Sequence, residues 1–185
     1  MKFNGNFKEL MTPDIDSLVS RVEKITPEEW VEDTTRQKRF PVTHDTETIM
    51  LCFNGYKNGK PNEKARWDET TVYPNWEKWE DVIQPVLDQV YPLFKNPFLN
   101  KCMIVKLKAN GKIPKHYDGT ETFDHSHRLH LPLVTNPDCI MTIGGEPQNM
   151  KKGELYEVNN KRLHGVENKG QSDRIHLLFD IFEKE

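Results

Sequence analysis

Two stretches of this chain alternate apolar and polar residues with the period of a β-strand. In Arg128-Leu129-His130-Leu131-Pro132-Leu133 the three leucines share one face, and Arg128 and His130 occupy the other. In Arg174-Ile175-His176-Leu177-Leu178-Phe179-Asp180-Ile181 the apolar face is Ile175, Leu177, Phe179 and Ile181, with Arg174, His176 and Asp180 opposite. Successive side chains of an extended chain point to opposite sides, so each segment is expected to be a strand with one face on an apolar core. A polar second face is ordinary in antiparallel sheets that meet water. Here, however, both polar faces carry an Arg-x-His pair. In a barrel the inward face can hold a ligand, and the paired motif points to a lined pocket.

Between the two segments, and just ahead of the first, lie residues that bind metals. His116-Tyr117-Asp118 is followed at a distance by a lone His164. On a strand, His116 and Asp118 project to the same side while Tyr117 points away. The third ligand must then come from a segment that returns alongside, as His164 would on a neighbouring strand. Two imidazoles and one carboxylate form the set that holds Fe(II) on one face and leaves the other positions open. Taken alone, Tyr117-Asp118-Gly119 is equally what a surface turn would carry. Arg174 lies ten positions after His164, and its guanidinium matches a carboxylate bidentately. Together the triad and this anchor point to an oxygenase with a keto-acid cosubstrate.

The order His-x-Asp, Arg-x-His, Gly153-Glu154, His164-Gly165-Val166-Glu167-Asn168 and Arg174-Ile175-His176-Leu177 resembles the aspartyl/asparaginyl β-hydroxylase family. The likeness runs from about Ile104 to Ile181, with fainter similarity through Arg36-Gln37-Lys38-Arg39 and Thr46-Glu47-Thr48-Ile49-Met50-Leu51. These are Fe(II)- and 2-oxoglutarate-dependent oxygenases and include bacterial hydroxylases of free proline. The resemblance implies His116, Asp118 and His164 as iron ligands and Arg174 as the partner of the C5 carboxylate of 2-oxoglutarate. It also implies Arg128 and His130 as contacts to the metal-side carboxylate or the substrate, with O2 as second cosubstrate. The eukaryotic namesakes keep two histidines without the carboxylate ligand; Asp118 aligns this chain with the proline-hydroxylase branch. The fold implied is a double-stranded β-helix, a jelly-roll or cupin-like barrel that is mainly β, buttressed by N-terminal helices. Residues 1–185 are expected to form one oxygenase domain, with buttress and first strands in 1–100 and the metal-bearing core in 101–182.

The N-terminal half fits such a buttress. Ile15, Leu18, Val19, Val22 and Ile25 keep helical spacing. Thr26-Pro27-Glu28-Glu29 is a helix start, with Thr26 as cap, Pro27 in the first position and Glu29 closing a capping box. Ile49 to Phe53 predicts a strand, and Asn54-Gly55, Asn58-Gly59 and Asn110-Gly111 predict turns. From Trp76 to Phe94 a stripe of Trp79, Val82, Ile83, Val86, Leu87, Val90 and Leu93 predicts a longer helix, kinked at Pro85 and ending near Pro92. Cys102 to Leu107 opens the strand-rich half.

Composition excludes other classes. The net charge of −3, with both signs interspersed, gives no nucleic-acid footprint, and Lys151-Lys152 fits a solvated turn. Cys52, Cys102 and Cys139 lack metal-ligand spacing and are expected as buried free thiols. Met1-Lys2-Phe3-Asn4-Gly5 shows no signal-peptide pattern and no apolar run approaches a membrane span, so a cytosolic location is expected. Arg36, Arg39 and His44, with the polar loop from Tyr56 to Tyr73 and its Trp67, are candidates for a substrate-facing lid. A free amino acid such as proline is the expected substrate. An Asp, Asn or other side chain in a peptide is the alternative, and a non-catalytic ligand-binding barrel is the reading outside enzymes.

Overall fold

The computed structural model describes residues 3–54, 56–57, 60–61, 69–118 and 122–184. In chain order the elements are β1 (Phe7–Met11), α1 (Asp16–Val22), α2 (Pro27–Trp30), α3 (Thr35–Arg39), β2 (Thr46–Phe53), β3 (Tyr56–Lys57), β4 (Lys60–Pro61), β5 (Thr71–Val72) and α4 (Asn75–Val90). They continue with β6 (Pro97–Leu107), β7 (Lys112–His116), α5 (Thr122–His125), β8 (His127–Val134), β9 (Cys139–Ile143), β10 (Glu146–Gln148), β11 (Leu155–Val158), β12 (His164–Asn168) and β13 (Arg174–Glu183). The alternating segments are β8 and β13, neighbours in a seven-stranded sheet of order β1-β11-β8-β13-β6-β2-β5. A four-stranded sheet, β10-β9-β12-β7, faces it, and strand pairing is antiparallel throughout both. This is the double-stranded β-helix expected.

Each face of the large sheet has its own partner. Leu129, Leu131, Leu133, Ile175, Leu177, Phe179 and Ile181 pack outward against Leu18, Val19 and Val22 of α1 and Trp79, Ile83, Val86, Leu87 and Val90 of α4. Burial of side chains of this size contributes about 1.5–3 kcal/mol each, so the helices are held by the sheet's outer face. The inner face meets the small sheet through Leu107, Tyr156 and Val158 against Met141, Ile143 and Val166. Further along, Met50, Met103, Val105 and Leu178 form a separate apolar patch.

Local chemistry explains most element ends. The Thr26 hydroxyl accepts from Glu29 N–H while the Glu29 carboxylate accepts from Thr26 N–H, the capping box expected. The helix of Ile15, Leu18, Val19 and Val22 stops at Val22, short of Ile25. Helix α4 runs through Pro85 and gives way to a 3₁₀ turn, Tyr91–Leu93, that contains Pro92. Strands β2 and β6 begin earlier than their apolar runs, at Thr46 and Pro97, because each finds a pairing partner there. The turn before β7 places Asn110, with φ 58°, in the left-handed region, and Gly111 N–H bonds Lys108 O. Lys151 and Lys152 are exposed, and all three thiols are free and buried. Gly55, Asn58, Gly59 and Trp67 lie outside the described residues. Among those described, no helix is long and apolar enough to cross a membrane.

Candidate active site

His116 ends β7 and His164 begins β12, and the two residues are directly paired across the strands. Their rings lie 4.2 Å apart between centroids. The strand stops at His116, so pleating alone does not aim Asp118. Its placement comes from Asn160, whose carbonyl accepts from Asp118 N–H at 3.3 Å and whose side-chain amide donates to Asp118 Oδ2 at 2.8 Å. One ligand atom from each of His116, Asp118 and His164 lies within 4.8 Å of the others, a group able to hold a metal ion. The surface-turn alternative fits Tyr117, which is exposed, but not Asp118, which points inward.

The tautomers are fixed by backbone carbonyls. His116 Nδ1 lies 2.8 Å from Pro114 O and His164 Nδ1 lies 2.9 Å from Arg162 O. A carbonyl only accepts, so each Nδ1 carries the proton and each Nε2 keeps its lone pair for a cation. Burial pulls the His164 pKa below its ordinary value, outweighing the Arg162 carbonyl and Asp118. Burial works to raise the Asp118 pKa, but Arg128, the Asn160 amide and the two histidines together hold it below the usual carboxylate value. Neutral imidazoles and an ionised carboxylate suit a divalent first-row ion.

On the facing sheet, the polar residues of β8 and β13 turn toward this group. Asp180, fully buried, pairs with Arg128 Nε at 2.7 Å and with Lys101 Nζ at 3.5 Å. Arg128 Nη2 in turn lies 3.9 Å from Asp118 Oδ2. His130 and His176 are both buried, with ring centroids 5.9 Å apart, and among the described residues neither Nδ1 has a hydrogen-bond partner. Burial, then the charge of Arg174, hold both pKa values well below the ordinary imidazole value. Arg174 is only 2% exposed, and among the described residues nothing is hydrogen-bonded or ion-paired to its guanidinium. Burial draws its pKa down to about 10. A small void of about 10 Å³ opens beside Arg174 and His176, walled by Cys139, Met141, Met150 and Val166. An unpartnered buried cation and two orphaned imidazole nitrogens form a cradle that an anionic acceptor-rich ligand would complete.

The structure separates the three substrate candidates. Arg36 turns inward and donates from Nη1 to Thr46 Oγ1 at 3.2 Å and Thr48 Oγ1 at 3.1 Å. Arg39 and His44 are exposed, the first over the Phe40 ring and the second against Asp45. Sequence reasoning missed Asn160 and Lys101 as parts of this constellation, and placed His176 and Asp180 on the pocket-lining face without a specific task. His176 and Asp180 share the period-2 face of Arg174, which is signal enough to find them. A cavity of about 630 Å³ lies elsewhere, on the helix side of the sheet against Trp30 and Ile175, and holds none of these residues.

A double-stranded β-helix with a His-x-Asp and distant His group opposite a buried arginine is the combination expected of an Fe(II)- and 2-oxoglutarate-dependent oxygenase. Residues 31–184 match the aspartyl/asparaginyl beta-hydroxylase family, and the chain belongs to that family. It is therefore an oxygenase of the hydroxylase type, and the His116, Asp118 and His164 group is where a metal ion could be held. Among curated protein sequences none matches. Among solved structures, the viral collagen prolyl hydroxylase of Paramecium bursaria Chlorella virus-1 in its 2-oxoglutarate complex superposes with a TM-score of 0.53 at 9% identity, covering 98% of this chain and 97% of that one. HygX from Streptomyces hygroscopicus, with nickel, 2-oxoglutarate and hygromycin B bound, gives 0.53 at 11% identity, over 97% of this chain and 83% of its own. A 2OG-Fe(II) oxygenase family oxidoreductase from Burkholderia pseudomallei gives 0.52 at 13%, over 91% and 90%. At such identities the likeness shows the fold.

Proposed function

We propose that this oxygenase hydroxylates an unactivated C–H bond of a small substrate, with a free amino acid such as proline as the best candidate. In this reading His116, Asp118 and His164 hold the iron. Arg174 takes the C5 carboxylate of 2-oxoglutarate, and Arg128 and His130 serve the metal-side carboxylate or the substrate. The observation that carries the cosubstrate assignment is the buried, unpartnered Arg174 guanidinium beside the orphaned nitrogens of His130 and His176.

When bound, the iron and cosubstrate supply the oxidation: 2-oxoglutarate and O2 become succinate and CO2, with the second oxygen atom inserted into a C–H bond of the substrate. The chain's own residues hold and orient. Asp180 fixes Arg128 through their 2.7 Å ion pair. Asn160 holds Asp118, and the carbonyls of Pro114 and Arg162 keep both Nε2 atoms free of protons. The apolar patch of Met50, Met103, Val105 and Leu178 excludes water from the inner face.

The peptide alternative remains defined by the same site, because a fold does not fix a substrate. The test measures succinate formation and a mass gain of about 16 Da, one inserted oxygen atom, across panels of free amino acids and peptides. A hydroxylated free amino acid is expected. Hydroxylated peptides with every free amino acid untouched would overturn the small-substrate reading and leave the oxygenase intact.

A further inference from the structure

Arg174 is not the only guanidinium in the pocket without a carboxylate. Arg36, on α3, is held by two neutral threonine hydroxyls, and it makes no ion pair among the described residues. The support is itself fixed. Thr46 Oγ1 donates to Thr43 O at 2.7 Å, which leaves its lone pairs for Arg36, and Gln37 Nε2 ties α3 to Thr46 O at 2.9 Å. Only Nη1 is used, so the remaining N–H donors of the fork are available to a carboxylate in the bidentate geometry that arginine favours.

The position of Arg36 separates it from the 2-oxoglutarate cradle. Thr46 shares a cross-strand row with Leu107 and Arg174, and Thr48 shares one with Val105 and His176. Two strand spacings, on the order of 10 Å, therefore lie between the threonine platform under Arg36 and Arg174. One dicarboxylate already occupies the cradle at Arg174, so a second anion site needs a second anion. Thr48, beneath Arg36, shares its row with His176, so Arg36 stands over the same sheet face as the cradle, and its charge is coupled to those of Arg128 and Asp118. Burial, and then the like charge of Arg128, draw its pKa down to about 10, and Asp118 offsets only part of that. The next inner-face row is hydrocarbon and thioether. Met50, Met103 and Leu178 stand in register and lead to His130.

Resting on the oxygenase reading above, we propose that Arg36 is the specificity-determining anchor for a carboxylate of the substrate. The substrate is then a small organic acid whose aliphatic body lies on the Met50–Met103–Leu178 row. An uncharged sugar or amide would leave the half-buried Arg36 without a counter-charge and would forgo the charge-assisted hydrogen bonds that a carboxylate makes there.

The test uses the full chain loaded with Mn(II) and 2-oxoglutarate, which cannot turn over, and calorimetric titration of free amino acids, each alongside its carboxamide, beginning with L-proline and L-prolinamide. At least one acid is expected to bind, with its carboxamide weaker by about 30-fold or more. In Arg36→Met the acid should lose a similar factor and in Arg36→Lys an intermediate one, while 2-oxoglutarate affinity stays within about threefold in both. The proposal is overturned if the native protein binds acid and carboxamide alike, if Arg36→Met keeps the acid, or if no acid binds the loaded protein. The acid–carboxamide comparison needs no variant, so it decides even if Arg36→Met folds poorly. A native protein that takes up neither Mn(II) nor 2-oxoglutarate overturns the oxygenase reading itself, and this proposal with it.

Discussion

A buried arginine that waits for its anion should burden the protein until the anion arrives. Arg174 is 2% exposed with no ion pair among the described residues, and its pKa falls from 12.5 to about 10. A drop of that size corresponds to about 3 kcal/mol against the charged form. Methionine, unbranched and adaptable, fills much of the same space without the charge. Allowing roughly half the gain to be lost to imperfect packing, Arg174→Met should stabilise the ligand-free protein by about 1–2 kcal/mol. For a chain of this size that is an increase in Tm of about 3–6 °C. The same change should weaken 2-oxoglutarate by about 3–5 kcal/mol, roughly 100- to 4,000-fold. Thermal unfolding of native protein and variant, each without ligand and then with Mn(II) and 2-oxoglutarate, measures both effects. A variant that melts below the parent when empty, yet is still stabilised by 2-oxoglutarate, would refute the idea that Arg174 is an unmatched cation reserved for the cosubstrate.

Three further outcomes follow from the site. Asp118→Ala removes the anionic ligand and should lower Mn(II) or Fe(II) affinity more than about 100-fold, whereas Asn160→Ala, which frees Asp118 from its 2.8 Å hydrogen bond, should cost about 10–100-fold; equal metal content in all three proteins would remove both residues from the site. His130 and His176 stay neutral in the folded state while the unfolded chain protonates them near their ordinary pKa, so stability falls as pH drops below about 6.5, by about 1.4 kcal/mol per pH unit for each imidazole. His176→Leu should flatten that slope by one imidazole's share in urea melts between about pH 6.5 and 5, and parallel slopes would contradict the burial argument. At Gly165 an added Cβ would meet Ile113 O at 2.9 Å and Lys115 N at 3.1 Å, so Gly165→Ala should push β7 from β12, loosening metal binding with little effect on α1 or α4; unchanged Mn(II) affinity would count against that coupling.

The parts of the molecule governed by periodicity could be read from the chain. Leu129 to Leu133 and Ile175 to Ile181 announce their strands, Thr26 to Glu29 announce a capped helix, and His116, Asp118 and His164 announce a group that the fold brings within 4.8 Å of one another. What could not be read depends on pairing between distant segments. Asn160 follows a strand, and only the approach of its loop to Asp118 gives it a task. Lys101 looks like one more surface lysine until β6 is set beside β13, where it meets Asp180. Arg36, Arg39 and His44 formed one undivided group in sequence; the short helix α3 turns Arg36 inward and leaves the other two exposed.

One consequence concerns the strand that carries His116. Strand β7 is the edge of the small sheet, and its residues are Lys112-Ile113-Pro114-Lys115-His116. Proline has no N–H to offer a visiting strand, and exposed lysines repel one, so this edge is guarded against joining another chain. The same guard leaves β7 with a neighbour in its sheet on one side only, and even that ladder is interrupted between His164 and Val166. A metal ion shared by His116 and His164 would then act as an extra rung at this edge of the sheet. Chelation should be felt first as faster amide exchange through residues 112–116, well before the interior strands notice.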